Sequence, residues 1–282
     1  MSSIPLPARV AAHPNLRPLN VLRDLPQVAD LIELCFAKSI DRDGESYIRE
    51  IRRASRDEPW LRWASNTMES TSMPLNGYIW EADGKIVGNT SLIVFRHHGR
   101  RRYMLANIAV HPDYRHRGIA RALTERAMQH ARERGAAELW LHARDDNPDA
   151  LDLYTDLGFR ERARRTSWLT TADPAPAPAP NGFVIAPRHP NFWPQQSAWL
   201  DQLHPDELAW YRGWNFKSLA PGLWNWLYLL FVDMNLRQWA ALRGDELQAV
   251  LSWTPTGSRY DRLWLALGPE SAPEAAASLL VH

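Results

Sequence analysis

The sequence is poor in cysteine, in lysine and in long apolar runs. Its one cysteine, Cys35, cannot form an internal disulfide, so nothing points to an oxidising compartment or a cysteine-rich metal site. Only Lys38, Lys85 and Lys217 are lysines, and arginine supplies the other basic residues. The 282 residues include 33 basic and 32 acidic ones, a balance that excludes a basic nucleic-acid coat or an acidic tail as the dominant theme.

The chain also lacks the patterns of a membrane or secreted protein. Its longest apolar stretch, Leu223 to Val232, contains Asn225 and is shorter than the roughly 20 residues that a spanning helix needs. Met1 to Val10 shows no basic segment followed by an apolar one, which a secretory signal would have. We therefore expect a soluble, cytoplasmic protein without a membrane partner.

A proline-rich segment divides the sequence. Every second residue from Pro174 to Pro180 is proline, and such a run favours a stiff, extended spacer. Residues 1–172 hold 26 basic and 22 acidic residues, whereas the remainder holds 7 and 10 together with nine of the 14 tryptophans. We predict a first domain at 1–172, a Pro/Ala-rich linker at 173–182 and a tryptophan-rich second domain at 183–282.

The order of periodic segments in the first domain predicts a mixed α/β (α+β type) sheet. Val28, Leu31, Ile32 and Cys35 recur at helical spacing, which makes Cys35 a small buried hydrophobic residue rather than a nucleophile. Residues 55–76 show no clean period and are predicted to be irregular. The remaining segments are a hairpin over 77–95, a strand at 103–110, a helix at 118–134, a strand at 138–143, a helix at 148–157 and a strand pair within 159–169.

The segment from Asn107 to Leu123 carries the most chemical information. A buried strand ends at Val110, a loop with Arg115 and Arg117 follows, and Gly118 precedes an amphipathic helix. A helix start of this kind offers free amides and the positive end of the helix dipole, which suit a phosphate or pyrophosphate. Taken alone, the loop is better explained by solvated arginines on an ordinary turn.

A second motif changes that balance. Arg115-x-x-Gly118-x-Ala120 after a strand, with Asn147 and Tyr154 further along, resembles the GNAT family of acyl-CoA-dependent N-acyltransferases. The resemblance covers about residues 16–169 and looks closest to the ribosomal-protein alanine acetyltransferase branch. It implies the GNAT fold, with acetyl-CoA as the acyl-donor substrate and no metal.

The resemblance also implies roles for individual positions. Ile108, Ala109 and Val110 would offer strand amides to the pantetheine arm and the thioester carbonyl. Asn147 would bind the cofactor, although Asn147-Pro148 is equally typical of a helix N-cap. The pyrophosphate would be held by Arg115, His116, Arg117, Gly118, Ile119, Ala120 and Arg121.

The implied reaction also requires proton transfer. Tyr154 would be the general acid beside the cofactor sulfur, although its helix position also fits a core tyrosine. His142 stands where relatives of that branch have a glutamate, and it could be the general base or a structural histidine on a strand. Asp57 and Glu58 are weaker candidates for the base.

The second half resembles an incomplete copy of the first. Both halves run strand, Gly/Asp turn, strand, polar turn, strand and helix, but Gly268 to Glu274 contains no arginine and two acids. We therefore predict a second, partial GNAT-like α+β domain that does not bind CoA. An incomplete sheet has an edge to cover, so we expect it to pack on the first domain or on a second copy of the chain, as a homodimer.

The leading hypothesis is an N-acetyltransferase that moves an acetyl group from acetyl-CoA to a primary amine of a small molecule or a protein N-terminus. The alternative is a non-catalytic acyl-CoA-binding sensor. The basic cluster from His97 to Arg102 lacks zinc spacing and is too short for a nucleic-acid stripe, so we expect a solvated turn, no metal and no nucleic-acid partner.

Overall fold

The computed structural model describes residues 13–37, 42–67, 73, 75–97, 99–164, 182–204, 216–223, 225, 235–254, 261–271 and 273–282. Contacts divide the chain into two units, Met1–Arg165 and Thr166–His282. The predicted linker, apart from Gly182, lies outside the described residues.

The first unit is built on a five-stranded sheet of order β1-β2-β3-β4-β5. Neighbouring strands from β1 to β4 are antiparallel, while β4 and β5 are parallel. This arrangement confirms the predicted mixed α/β class. The strands are β1 (Leu16–Pro18), β2 (Gly77–Ala82), β3 (Lys85–His97), β4 (Arg100–Val110) and β5 (Glu138–Leu141), and the helices are α1 (Val21–Phe36), α2 (Arg42–Ala54), α3 (Glu58–Thr67), α4 (Ile119–Glu133) and α5 (Pro148–Asp156).

Helices cover both faces of this sheet. Alternate residues of a strand point to opposite faces, and β2 shows the division clearly. Ile79 is buried in a core with α1, α2 and α3, whereas Tyr78 and Trp80 are buried in a second core with Leu123 of α4. The loop between β4 and α4 is thereby fixed at one end of the sheet.

Three sequence expectations are corrected. Residues 58–67 form α3 rather than an irregular segment, because the Asp57 carboxylate accepts from the Trp60 amide (3.1 Å) and Leu61 is buried. Strand β5 ends at Leu141, so His142 is not part of a strand. Residues 159–164 are in no strand, and the rest of that predicted pair is outside the described residues.

A β-bulge interrupts the pairing of β3 with β4. Ser91 pairs with Ala106 and Asn89 with Ala109, so that two residues of β4, Asn107 and Ile108, face the single residue Thr90. Asn107 takes a left-handed backbone conformation with φ of 51°. The register of β4 with β5 ends just before this bulge, at the pair Leu105 and Leu141.

The second unit has a four-stranded antiparallel sheet of order β6-β7-β8-β9. Pairing of β8 with β9 runs from Ala249 and Leu267 to Thr254 and Arg262 with no bulge. Its strands are β6 (Val184–Pro187), β7 (Arg237–Arg243), β8 (Glu246–Thr254) and β9 (Arg262–Leu267), and its described helices are α6 (Trp193–Leu203) and α7 (Pro273–Val281).

The hydrogen bonds at the strand ends repeat between the units. After the first strand, the Leu19 amide donates to the Gly77 carbonyl (3.0 Å), and the Arg188 amide donates to the Gln238 carbonyl (3.0 Å). In each unit, therefore, the amide of the residue just after the first strand is hydrogen-bonded to a carbonyl near the start of the second strand.

A second bond repeats after the last antiparallel strand. The His111 amide donates to the Val87 carbonyl (2.9 Å), and the Gly268 amide donates to the Gln248 carbonyl (3.2 Å). Val87 of β3 and Gln248 of β8 are therefore corresponding positions, and each later residue of β8 corresponds to the next residue of β3. A helix follows in both units, α4 in the first and α7 in the second.

Candidate active site

The end of β4 presents backbone groups on its β5 side. Before the bulge, the Arg101 carbonyl accepts from the Ala137 amide (2.9 Å), so odd-numbered residues of β4 face β5. Beyond it, Ala109 pairs with Asn89 and His111 bonds to Val87 of β3. The bulge has shifted the alternation by one residue. Ile108 and Val110 consequently direct their amides and carbonyls away from β3, past the point where β5 ends.

Ala109 differs from its two neighbours. Its backbone faces β3 and its side chain is buried in the core under α1. The Ala109 amide therefore faces β3, whereas the amides of Ile108 and Val110 point to the open edge, and the role expected of Ala109 as an amide donor stays a prediction. The physical reason is the strict alternation of strand backbone groups, which lets only every second residue reach one edge.

The Val110 carbonyl is already engaged. The Cys35 thiol donates to it (3.3 Å), as does the Arg115 Nε (3.3 Å). Burial raises the pKa of Cys35, with a smaller opposing effect from Arg115, so the thiol is held in its protonated form. Cys35 is half-buried rather than fully buried, and it packs on the core as a small residue, as the sequence predicted. The amide of Val110, rather than its carbonyl, is the group directed at the open edge.

The loop after β4 is shaped by three local features. The His111 side chain accepts from the Asp113 amide (3.3 Å) and caps a 3₁₀ turn at Pro112–Tyr114. His116 and Gly118 then adopt left-handed conformations, with φ of 57° and 76°. A Cβ added to Gly118 would have open space around it, so glycine is favoured there by its backbone conformation alone.

Helix α4 begins directly after this turn. Gly118 is its N-cap residue and provides no side-chain hydrogen bond to the first turn. The amides of Ile119, Ala120 and Arg121 are thus the orphan donors that every helix start leaves, and they coincide with the positive end of the dipole. This is the geometry that binds phosphate groups at helix N-termini.

Exposed arginines surround the same helix start. The Arg117 guanidinium lies 4.9 Å from the centre of the Tyr114 ring and donates to the Asp113 carbonyl (2.8 Å). Arg121 forms an ion pair with Asp156 at the end of α5 (3.0 Å). Together with Arg115, these side chains bring three positive charges to one loop, and one of them ties α4 to α5.

Helix α5 carries the second predicted motif. The Asn147 Oδ1 accepts from the Ala150 amide (3.3 Å) and caps the helix, with Pro148 in the first turn. The N-cap interpretation of Asn147 is thereby confirmed. The bond uses only the carbonyl oxygen of the side chain, which leaves the amide nitrogen as the group that can donate to a ligand.

Tyr154 is buried within the first unit. Its ring meets Phe159 edge-on at 6.0 Å, and Phe159 packs on the same core cluster as Ile108 and Val110. Burial raises the pKa of Tyr154 to about 12. The core interpretation of Tyr154 therefore holds, and the same burial keeps its hydroxyl protonated.

The candidate bases are separated from one another. His142 is exposed and follows Leu141 directly, at the point where β4 and β5 stop pairing. Asp57 caps α3, and Glu58 forms an ion pair with Arg62 in the next turn (2.6 Å). The two carboxylates thus stabilise α3, the helix that was not predicted from the sequence. His142 lies beside the open edge of β4.

A cleft of 670 Å³ lies on the other side of the loop, toward β1 and β2. Its lining includes Arg17, Trp80 and Arg117. The Arg17 guanidinium is held by the carboxylates of Asp24 (2.6 Å) and Glu81 (2.6 Å), so the charge inside the cleft is internally balanced. This cleft is separate from the open edge of β4.

Sequence reasoning missed the residues that hold the bulge. The Asn107 side chain donates to the Tyr47 hydroxyl of α2 (2.9 Å), and the Asn107 carbonyl accepts from the Asn89 side chain (2.9 Å). The available signal was asparagine inside two strands, where this residue is depleted, and its tolerance of the left-handed conformation.

Two features are absent from the part of the chain that the structure describes. No group of three or more His, Cys, Asp and Glu side chains there is arranged to hold a metal ion. In that same part, no helix combines the length and the apolar character needed to cross a membrane.

Comparison with known proteins finds a family model that matches part of the chain. Residues 39–159, less than half of the chain, match the model of the acetyltransferase (GNAT) family. This is the family that the loop and helix motifs resemble.

Individual relatives share parts of the chain. The [ribosomal protein bS18]-alanine N-acetyltransferase of Escherichia coli (strain K12) is 45% identical over 69 residues, which are 24% of this chain and 47% of the relative. The mycothiol acetyltransferase of Salinispora arenicola (strain CNS-205) is 28% identical over 196 residues, 66% of this chain and 57% of the relative. The chain thus spans about half the length of these curated relatives.

Among solved structures, a GCN5-related N-acetyltransferase from Ralstonia eutropha JMP134 has 25% sequence identity and a TM-score of 0.42. The similarity covers 55% of this chain and 97% of that one.

Proposed function

We propose that the first unit is an N-acetyltransferase that transfers an acetyl group from acetyl-CoA to a primary amine. The observation that carries the proposal is the combination, within one strand–loop–helix segment, of an unpaired strand edge and an uncapped helix start. The edge is formed by Ile108 and Val110, and the helix start by Gly118. An extended pantetheine arm and a pyrophosphate require these two features in this order.

In this proposal the loop binds the nucleotide end of acetyl-CoA. The backbone amides from His116 to Arg121 surround the pyrophosphate, and Arg115 and Arg117 add charge-assisted hydrogen bonds. Arg121 shares its guanidinium between Asp156 and the phosphate. The Asn147 amide nitrogen donates to the cofactor while Oδ1 continues to cap α5.

The strand edge binds the reactive end. The acceptor amine attacks the thioester carbon as a neutral nucleophile, and the carbonyl oxygen takes up negative charge in the tetrahedral intermediate. The Val110 or Ile108 amide stabilises that oxygen. The carbon–sulfur bond then breaks, the acetyl group remains on the nitrogen, and CoA leaves with its sulfur as thiolate.

Two side chains handle protons. Tyr154 donates a hydrogen bond to the leaving sulfur. A phenol is protonated at neutral pH, and burial raises the pKa of Tyr154 further, to about 12. The proton that the attacking amine releases goes to His142, directly or through water. A neutral imidazole can accept it.

The second unit is proposed to be a partial GNAT-like domain that does not bind CoA. The described pairing of β8 with β9 has no bulge, and the segment after β9 contains Glu270 and Glu274 where the first unit has arginines. The tandem arrangement is also supported by the match to the mycothiol acetyltransferase, which at 196 residues is longer than either unit alone.

The relatives suggest two kinds of amine for the test. One is a protein N-terminal α-amine, because the bS18-alanine enzyme is named for a protein residue, and the other is an amine of a small molecule, because the mycothiol enzyme is named for one. An α-amine with a pKa of about 7.7 to 8.0 loses its proton more easily than a lysine side chain.

The experiment combines binding and turnover on the full chain. Calorimetric titration with acetyl-CoA should show one site per chain, and thiol release should require an amine from a panel of amino-terminal peptides and amino sugars. Binding without thiol release for any amine would support the sensor instead. Failure of acetyl-CoA to bind would overturn both functions.

A further inference from the structure

A buried polar cluster surrounds the bulge of β4. Its members are Tyr47 of α2, Asn89 and Ser91 of β3, and Asn107 of β4. The Asn107 Nδ2 donates to the Tyr47 hydroxyl (2.9 Å) and lies 3.3 Å from the Ser91 Oγ, which also accepts from the Asn89 Nδ2 (3.3 Å). The Asn89 Nδ2 donates to the Asn107 carbonyl as well (2.9 Å).

This cluster is unusual for the interior of a sheet. Asn89 and Ser91 are 0% exposed, and polar side chains are unfavourable in such a place unless hydrogen bonds satisfy them. Asn107 combines the left-handed backbone with a side chain that bonds across to another element. Polar groups at these positions are therefore tied to the geometry of the bulge rather than to packing.

The geometry of the bulge determines which amides reach the open edge. A strand without it would keep the alternation of Arg101 through Asn107, and Ala109 would then face the β5 side in place of Ile108 and Val110. Tyr47 is the one member of the cluster outside the sheet. Its hydroxyl fixes the side chain of the bulged residue from α2.

The second unit provides an internal comparison. Residue-by-residue alignment of β8 with β3 puts Ser252 at the place of Ser91 and Val250 at the place of Asn89. Ser252 bonds to Gln238 (3.0 Å) within its own sheet, and β9 passes it without a bulge. The serine alone does not produce a bulge, which points to the asparagines and the tyrosine.

We propose that Tyr47 is a positioning residue which, through Asn107, holds the bulge that presents the Ile108 and Val110 amides to the pantetheine arm and thioester of acetyl-CoA. This inference rests on the proposed acetyltransferase function. It assigns Tyr47 no contact with the reacting atoms. Its loss should therefore weaken recognition of the arm and leave recognition of the nucleotide unchanged.

The test uses Tyr47→Phe and Asn107→Gly, since glycine keeps the left-handed conformation and removes only the side chain. Tyr78→Phe is the matched control, because Tyr78 is a buried tyrosine of the same unit whose hydroxyl makes one 2.9 Å hydrogen bond, to His130. The affinities of CoA and of adenosine 3′,5′-bisphosphate, which lacks the pantetheine arm, are measured together with kcat and KM for acetyl-CoA.

We expect Tyr47→Phe and Asn107→Gly each to weaken CoA binding and to lower kcat/KM by about tenfold, the effect of one buried hydrogen bond. The affinity for the bisphosphate should stay unchanged in both variants. The double variant should lose little more than either single one, because the two side chains share one hydrogen bond. Tyr78→Phe should leave both affinities and kcat/KM at the level of the unmodified chain.

Three outcomes would overturn the inference. They are wild-type values for Tyr47→Phe, equal losses for CoA and the bisphosphate, or the same loss in Tyr78→Phe. If the unmodified chain bound acetyl-CoA and turned it over, these outcomes would remove only the role of Tyr47. If the unmodified chain did not bind acetyl-CoA, the proposed function itself would fail.

Discussion

The two units build similar sheets from different sequences. In each, three antiparallel strands follow a short first strand, and the same two hydrogen bonds close the first strand and the last antiparallel strand. The units differ where β4 and β9 meet their neighbours. Strand β4 carries the bulge at Asn107 and pairs with β5 on its far side, whereas β9 is continuous and is the last strand of its sheet.

The difference between β4 and β9 shows that forming the sheet and forming a ligand site have different structural requirements. Backbone pairing and alternating burial suffice to form either sheet. A ligand site also needs backbone groups that have no partner in the sheet, and the first unit creates them with one inserted residue. The loop that follows adds Gly118 and arginines, whereas the second unit has Gly268 packed against Trp199 and Ser271.

The largest effect is expected from Tyr154→Phe. Removal of the hydroxyl should lower kcat by about 10²- to 10⁴-fold, the usual contribution of a positioned proton donor. The affinity for acetyl-CoA, measured by calorimetry, should change little. If kcat were unaffected, Tyr154 would be a core residue only, and another group would have to donate to the leaving sulfur.

The next effect is expected from Gly118→Asp. A carboxylate at the start of α4 opposes the phosphates, and repulsion of several kcal/mol should weaken acetyl-CoA binding by about 100-fold. Gly244→Asp is the matched control in the second unit, since Gly244 also has a left-handed backbone (φ of 61°) and open space for a Cβ. Equal loss of binding in both variants would contradict the assignment of the phosphate site to the first unit.

A smaller effect is expected from Arg117→Gln. Loss of one exposed charge-assisted bond should weaken CoA binding by about threefold to tenfold and reduce its dependence on salt. Arg237 is a matched exposed arginine of the second unit, 5.1 Å above the Trp253 ring as Arg117 is 4.9 Å above Tyr114. Arg237→Gln should leave the titration unchanged, and a similar weakening would show that the effect is general electrostatics.

The smallest effect concerns pH. Tyr154 must be protonated to act as a donor, and its pKa is raised from the ordinary value to about 12. Activity should therefore rise as the amine loses its proton and then stay level, with no fall from Tyr154 below about pH 11. A decline between pH 9 and 10.5 that disappears in Tyr154→Phe would place the tyrosine in a less buried setting.

Much of the first unit follows from short-range pattern. The helix at Gly118 was predictable because the glycine and the apolar face after it mark a helix start. The cap at Asn147 was predictable for a similar reason, since Asn-Pro is typical of a first turn. In the same way, the spacing of Cys35 on α1 indicated packing rather than nucleophilic chemistry.

Other features depend on partners distant in sequence. Alternation alone extended β5 to Ala143, but a strand continues only while a neighbour is available, and the bulge at Asn107 removes that neighbour after Leu141. Helix α3 was missed because its stability comes from burial of Leu61 against α1 and from the Asp57 cap rather than from a long periodic segment.

The sequence by itself determined that the chain has two unlike halves, and that one of them places an arginine-bearing loop and Gly118 between a strand and a helix. These properties depend on residue type and local spacing. Only the tertiary structure decided that Ile108 and Val110, and not Ala109, face the open edge. That choice depends on strand register and on the contact of Tyr47 with Asn107, which join residues 60 positions apart in the chain.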